Sequence, residues 1–374
     1  MKLSTAVRLL STIYIISFFV LPAIAQRDPA KSFRSKKPDN IILLIGDGMG
    51  LTQICAGLTV NHGQLNLNNF KSIGFSKTNS VSGYITDSGA GATAMSTGNK
   101  TYNGAIGVNQ DTIPCKHILE YAEEKGLSTG LVSTSSITHA TPAAFIAHRK
   151  WREDYEGIAA DFLKTDIDVF IGGGSMNFVL RADKRNLLQE LQQKGYQVVL
   201  SMDSIKNISR GKLAGLNVPL HNPAKIQGRG DMLPAAASTA INILSKNKKG
   251  FFLMIEGSHI DWGGHANNGA YVAQEMIDFD RAIGKALGYA QSNRKTLVIV
   301  TADHETGGMS ILEGDYQKGT IVANFSTVNH TGILVPIFAW GPGAEYFQGI
   351  MENTEIFTKM MSLLELDPDL PLKD

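Results

Sequence analysis

Six uninterrupted apolar runs govern what this chain can fold into. The first, Asn40-Ile-Ile-Leu-Leu-Ile45, has no polar residue after Asn40 to turn toward water. That fits a strand covered on both faces, as in a parallel sheet, rather than one with a wet face. Comparable runs recur at 129–133, 168–171, 251–255, 296–300 and 334–338. Between or after them the apolar spacing turns helical, at 116–125, 184–194, 233–244, 271–290 and 355–364. Strand, helix and strand at this spacing predict a doubly wound α/β fold, a mostly parallel central sheet flanked by helices. There is no internal repeat, and the stretch from about 172 to 232 is the least regular. It reads as an insertion on the main sheet, within a single domain over 39–374.

Composition narrows the class. With 374 residues, 43% hydrophobic and 18% charged, the chain has the make-up of a globular protein and ample length for a core. Its 35 basic side chains balance 34 acidic ones, so no electrostatic footprint points to nucleic acid. The two cysteines, Cys55 and Cys115, make no disulfide framework, and neither lies in a CxxC. The N-terminus carries Lys2 and Arg8, then an apolar run over 9–21, then Pro-Ala-Ile-Ala25. These are the three regions of a secretory signal peptide, expected to be cut after Ala25. The run is shorter than the roughly 20 residues of a membrane span. Cleavage leaves 33 basic against 34 acidic side chains, about −1, and an exported, periplasmic or secreted protein with no stable membrane span. Residues 26–38 are polar and basic and read as a tether.

The chemistry gathers where the apolar runs stop. In open parallel sheets ligands bind at the carboxyl ends of strands. Asp47 follows the first run, Glu256 the run at 251–255, and Asp303 with His304 the run at 296–300. One such carboxylate would be no more than a helix cap. Three of them with nearby histidines suggest a multinuclear metal site. Asp261 and His265 are four residues apart, so on a helical turn they share one face and can reach one ion. Oxygen and imidazole donors without thiolate suit Zn²⁺, whereas calcium would call for more oxygens. His330 is a further candidate ligand. Ser88, followed by Gly-Ala-Gly-Ala, is placed at a helix N-terminus, where free amides and the dipole favour an anion. No nucleotide-binding glycine loop, GxSxG or HExxH competes with that reading.

Thr86-Asp-Ser-Gly-Ala-Gly-Ala-Thr-Ala94, with the 97–108 segment after it, resembles the nucleophile segment of the alkaline phosphatase family. Further blocks match in the family's order: 46–50, 139–148 leading to Arg152, 256–265, 301–308 and His330-Thr-Gly. The resemblance spans roughly 40–345 and implies a metal-dependent phosphomonoester hydrolase. It implies that Ser88 becomes a phosphoserine and that Arg152 clamps phosphate oxygens. It implies two Zn²⁺ per subunit, one held by Asp261, His265 and His330, the other by Asp47, Asp303 and His304. It implies a third site at Asp47, Thr141 and Glu256, filled by Mg²⁺ or another divalent metal, and a homodimer. Three departures stand out: His139 where some members have aspartate, Trp262 where some have lysine or histidine, and a short loop between Glu305 and His330. His148 and His259 are assigned ligand-orienting roles, and His62, His117 and His221 structural or surface ones. A related metal phosphodiesterase or sulfatase would share the scaffold. Arg152 with Glu256 favours a monoester, which offers three free oxygens. An inactive phosphate-binding protein is the alternative from another class, and the intact nucleophile argues against it.

Overall fold

The computed structural model describes residues 37–367. The export signal and all of the tether before Lys37 lie outside the described residues. The strands, in chain order, are β1 (Asn40–Gly46), β2 (Ser72–Lys77), β3 (Ser128–Ser136), β4 (Val169–Gly173), β5 (Gln197–Val199), β6 (Leu213–Leu216) and β7 (Phe251–Gly257). They continue with β8 (Thr296–Thr301), β9 (Glu305–Thr306), β10 (Met309–Asp315), β11 (Thr320–Phe325), β12 (His330–Thr331), β13 (Val335–Trp340) and β14 (Gly349–Glu352).

Ten strands form one sheet in the order β14-β2-β13-β8-β1-β7-β3-β4-β6-β5. Only β13 runs against its neighbours, pairing antiparallel with both β8 and β2. Its apolar run looks the same in the sequence because it too is buried on both faces. The central strand β1 shows why such runs arise. Ile41, Leu43 and Ile45 enter one apolar core with Phe145, Phe162 and Phe252. Ile42 and Leu44 enter the other with Met276 and Phe279. Both faces of the strand are therefore dry, and each such side chain contributes about 1.5–3 kcal/mol on burial.

Helices cover both cores, including Leu51–Val60, Ile118–Lys125, Met232–Leu244, Gly269–Asn293 and Asn353–Leu363. The 172–232 stretch is made of short elements, two of which, β6 and β5, extend the parallel sheet at its edge. The loop between Glu305 and His330 is filled by the β10–β11 hairpin. Among the described residues no helix is long and apolar enough to cross a membrane. Cys55 and Cys115 are free.

Candidate active site

Four neighbouring strands, β8, β1, β7 and β3, end side by side and place the site. Pairing aligns Ile45 of β1 with Glu256 of β7 and Thr301 of β8, and Ser133 of β3 with Glu256. The residues just beyond these registers, Asp47, Asp303 and His304, therefore converge with Glu256 at one edge of the sheet. The turn after β1 is tight. Gly48 has φ +72°, and a Cβ there would lie 2.7 Å from both Asp261 Cα and Thr306 Oγ1. Only glycine meets both demands, and its amide donates to Asp303 Oδ1 at 3.2 Å.

Ser88 opens the helix Ser88–Thr97, which is buried along its whole length. Asp87 caps it by accepting from the Ala90 amide at 2.9 Å. Gly91 lets the helix close on Asp303, since a Cβ there would already sit 3.1 Å from that residue's Cβ. Ser88 Oγ comes to 3.3 Å from His304 Nε2. The Asp87 carboxylate also receives the Arg152 guanidinium at 2.8 Å and the Gly104 amide at 3.0 Å. Sequence reasoning gave Asp87 no role, and its N-cap position was the only signal available.

Two trios of donors lie beside Ser88: Asp47, Asp303 and His304, and Asp261, His265 and His330. In each histidine the outward ring nitrogen is engaged. His330 Nδ1 meets the Thr86 carbonyl at 2.9 Å, His265 Nδ1 the Val328 carbonyl at 2.5 Å, and His304 Nδ1 the Thr306 hydroxyl at 3.2 Å. Those contacts assign the outward nitrogens as N–H donors. They leave bare lone pairs facing inward, the arrangement metal-ligating imidazoles adopt. The inward Nε2 atoms of His265 and His330 lie only 3.2 Å apart. Thr306, which sequence reasoning missed, donates its hydroxyl to Asp261 Oδ1 and so ties one trio to the other.

A third group surrounds Glu256. Its Oε2 accepts from Ser133 Oγ at 2.5 Å. Glu256 Oε1, both Asp47 oxygens, Asp303 Oδ2, Thr141 Oγ1 and His139 Nδ1 are buried with no hydrogen-bond partner. Unpaired buried polar atoms are costly, and such a concentration of them needs cations to complete it. Burial first, then repulsion from neighbouring carboxylates, pushes Asp47 and Asp303 well above the ordinary carboxylate range. Burial likewise raises Glu256. Burial pushes His304 down to about 4 and His139 to about 3. His265 is pulled up to about 9 by its bond to Asp261. These donor sets fit divalent metals: oxygen and imidazole with no thiolate, and charges that oppose one another until a cation joins them.

The other histidines divide. Trp262 is packed among His259, His221 and His139, at ring separations of 4.0, 5.0 and 6.0 Å. His259 also bonds the Tyr271 hydroxyl at 2.7 Å. His148, expected to orient a ligand of the site, instead bonds the Gly107 carbonyl at 2.7 Å and stacks on His117. Its other ring nitrogen lies 3.7 Å from Glu120, in the first turn of the Ile118–Lys125 helix.

The alkaline phosphatase family model matches residues 38–324 and 313–366. Alkaline phosphatase 4 of Bacillus subtilis is 33% identical over 88% of this chain and 90% of its own length. The alkaline phosphatase of Escherichia coli is 33% identical over 90% and 88%. The solved alkaline phosphatase of the Antarctic bacterium TAB5 is 45% identical, with a TM-score of 0.83 over 89% of this chain and 99% of that one. A histidine-to-aspartate mutant of the TAB5 enzyme has been solved with magnesium bound in its M3 site.

Proposed function

The chain belongs to the alkaline phosphatase family, enzymes that hydrolyse phosphomonoesters, and on that premise we propose that Ser88 is the nucleophile of a metal-dependent reaction passing through a phosphoserine. The observation that carries this reading is the position of Ser88 Oγ. It lies at the N-terminus of a buried helix, 3.3 Å from an inward-facing imidazole nitrogen, with Arg152 held on the adjacent residue.

In the proposed roles, Asp261, His265 and His330 hold one Zn²⁺, and Asp47, Asp303 and His304 a second. Asp47, Thr141 and Glu256 hold a third ion, Mg²⁺ or another divalent metal, with His139 beside it. Support for divalent metals comes from the donor trios and from the magnesium-bearing TAB5 mutant. When bound, such ions supply Lewis-acid polarisation of oxygen at the reacting centre. The chain's own residues do the rest. Arg152 binds two phosphate oxygens with the edge of its guanidinium that Asp87 leaves free. Ser88 Oγ attacks phosphorus in line, its bond forming as the ester P–O bond breaks and the alcohol departs with a proton. A water then attacks the phosphoserine from the vacated side. The Ser88 O–P bond breaks, inorganic phosphate leaves, and Ser88 recovers its proton.

Export with cleavage after Ala25 and assembly as a homodimer belong to the same proposal; N-terminal sequencing of the secreted protein and sedimentation test them. The chemistry is tested by comparing p-nitrophenyl phosphate with bis-p-nitrophenyl phosphate and p-nitrophenyl sulfate. The monoester should be turned over fastest by far. A preference for the diester or sulfate would sink the monoester reading. Brief incubation with labelled phosphate at acid pH should label Ser88 and leave Ser88→Ala unlabelled. Label on any other residue refutes the nucleophile.

A further inference from the structure

A third trio of donors lies apart from the two beside Ser88: His117, Glu120 and His148. His117 caps the helix Ile118–Lys125, Glu120 sits in its first turn, and His148 comes from the segment that leads to Arg152. The imidazoles repeat the arrangement of the candidate metal ligands. His117 Nε2 is engaged by the Ala147 carbonyl at 3.1 Å, and His148 Nδ1 by the Gly107 carbonyl at 2.7 Å. Each ring therefore turns a bare nitrogen the other way, and both meet the same carboxylate oxygen. His117 Nδ1 is 3.0 Å and His148 Nε2 3.7 Å from Glu120 Oε2. His117 is fully buried, and its Nδ1 makes no hydrogen bond.

We propose that His117 Nδ1, Glu120 and His148 Nε2 form an additional divalent-cation site that takes Zn²⁺ or a metal of similar ligand preference. Separations of 3.0 and 3.7 Å bracket the edge of a tetrahedron whose metal–ligand bonds are about 2.0–2.2 Å. Two imidazoles and one carboxylate suit Zn²⁺, Co²⁺ or Ni²⁺ and do not suit Mg²⁺, which prefers oxygen. Glu120 and His148 are 33% and 27% exposed, which leaves an entry path and room for water as the fourth ligand. The Glu120 carboxylate also accepts from the His117 amide at 2.8 Å, so it is already fixed in place. The rings stack 18° from parallel and must tilt toward each other to share the ion. A cation there would bolt the start of the 118–125 helix to the segment whose backbone meets Ile106 at Arg149 and Gly104 at Arg152. Its role would be structural.

The test counts zinc by difference, so it does not depend on how many ions the catalytic region holds. Chelated protein is dialysed against micromolar free Zn²⁺, and bound metal per chain is measured for wild type, His117→Thr and His148→Gln. Threonine at 117 keeps a good N-cap, so the helix start survives the loss of the imidazole. Wild type should bind one equivalent more than either variant, and zinc should raise its melting temperature more. Anomalous scattering at the zinc edge should show an ion between the two rings. Equal zinc content in all three proteins, with folding confirmed by circular dichroism, overturns the site and leaves the trio as two histidines facing one carboxylate with no ion between them.

Discussion

Replacing Arg152 by alanine separates a phosphate clamp from a structural ion pair. The guanidinium gives Nη1 to Asp87 at 2.8 Å, and its backbone amide bonds the Gly104 carbonyl at 2.7 Å. One guanidinium nitrogen is thus committed, and the proposed clamp uses the donors that remain. A hydrogen bond to a charged group is worth about 1.5–3 kcal/mol. The side chain is 19% exposed, so water takes over part of any lost contact. We therefore use one such bond rather than two, which corresponds to roughly a 10- to 150-fold loss. That loss should appear in monoester kcat/KM and in the inhibition constant of inorganic phosphate. A diester presents fewer charged oxygens and should lose less. Asp87→Asn is the control. Asparagine still caps the Ser88 helix, and the Gly104 contact still holds the Arg152 backbone, so its loss should be smaller. Equal losses for monoester and diester in Arg152→Ala, or a larger loss in Asp87→Asn, would refute the clamp and make the pair a scaffold for Ser88.

Other outcomes follow from the donor groups. Chelation should abolish turnover, Zn²⁺ with Mg²⁺ should restore it, and His304→Ala should lower bound zinc together with rate; full activity after metal analysis confirms removal refutes metal dependence. His139→Asp should raise magnesium affinity by adding a hard oxygen, and Trp262→Lys should tighten phosphate inhibition by adding a charge; no change in either assigns both residues to packing. The chelated protein should lose stability between pH 6.5 and 9. His265 is held protonated up to about 9 by Asp261, so its contribution is complete below 6.5 and gone once pH passes its folded value. Glu256 and Asp303, raised by burial to about 7 and about 6, add a decline at lower pH, between the ordinary carboxylate range and those values, because rising pH there forces charge into a dry, crowded site. Thermal unfolding of chelated protein that improves across that interval would contradict the proposed electrostatics. Metal-loaded protein should show no such decline.

The parts of this molecule that were legible in the sequence are those whose surroundings force a single pattern. β1, β7 and β8 are dry on both faces, so each reads as a continuous apolar run, and the carboxylate that ends the run is placed by the same reading. Strand direction leaves no such mark, which is why β13 passes for a parallel strand. β2 mixes buried, half-exposed and exposed residues, β11 alternates between half-exposed and exposed ones, while β5 and β6 have only 3 and 4 residues. Runs that short are below what periodicity can separate from a loop. The second layer of the site was illegible for a different reason. Asp87 meets Arg152 across 65 residues, and Thr306 meets Asp261 across 45. Neither contact leaves a local spacing to read. His117 makes the same point most sharply. In the sequence it reads as a structural or surface residue within a helical stretch, and only the fold brings His148 to within 3.7 Å of the carboxylate that His117 also faces. A donor set assembled across 31 residues has chemistry in its geometry and none in its motif, so it is there, rather than in the recognised blocks, that a structure adds what the sequence could not supply.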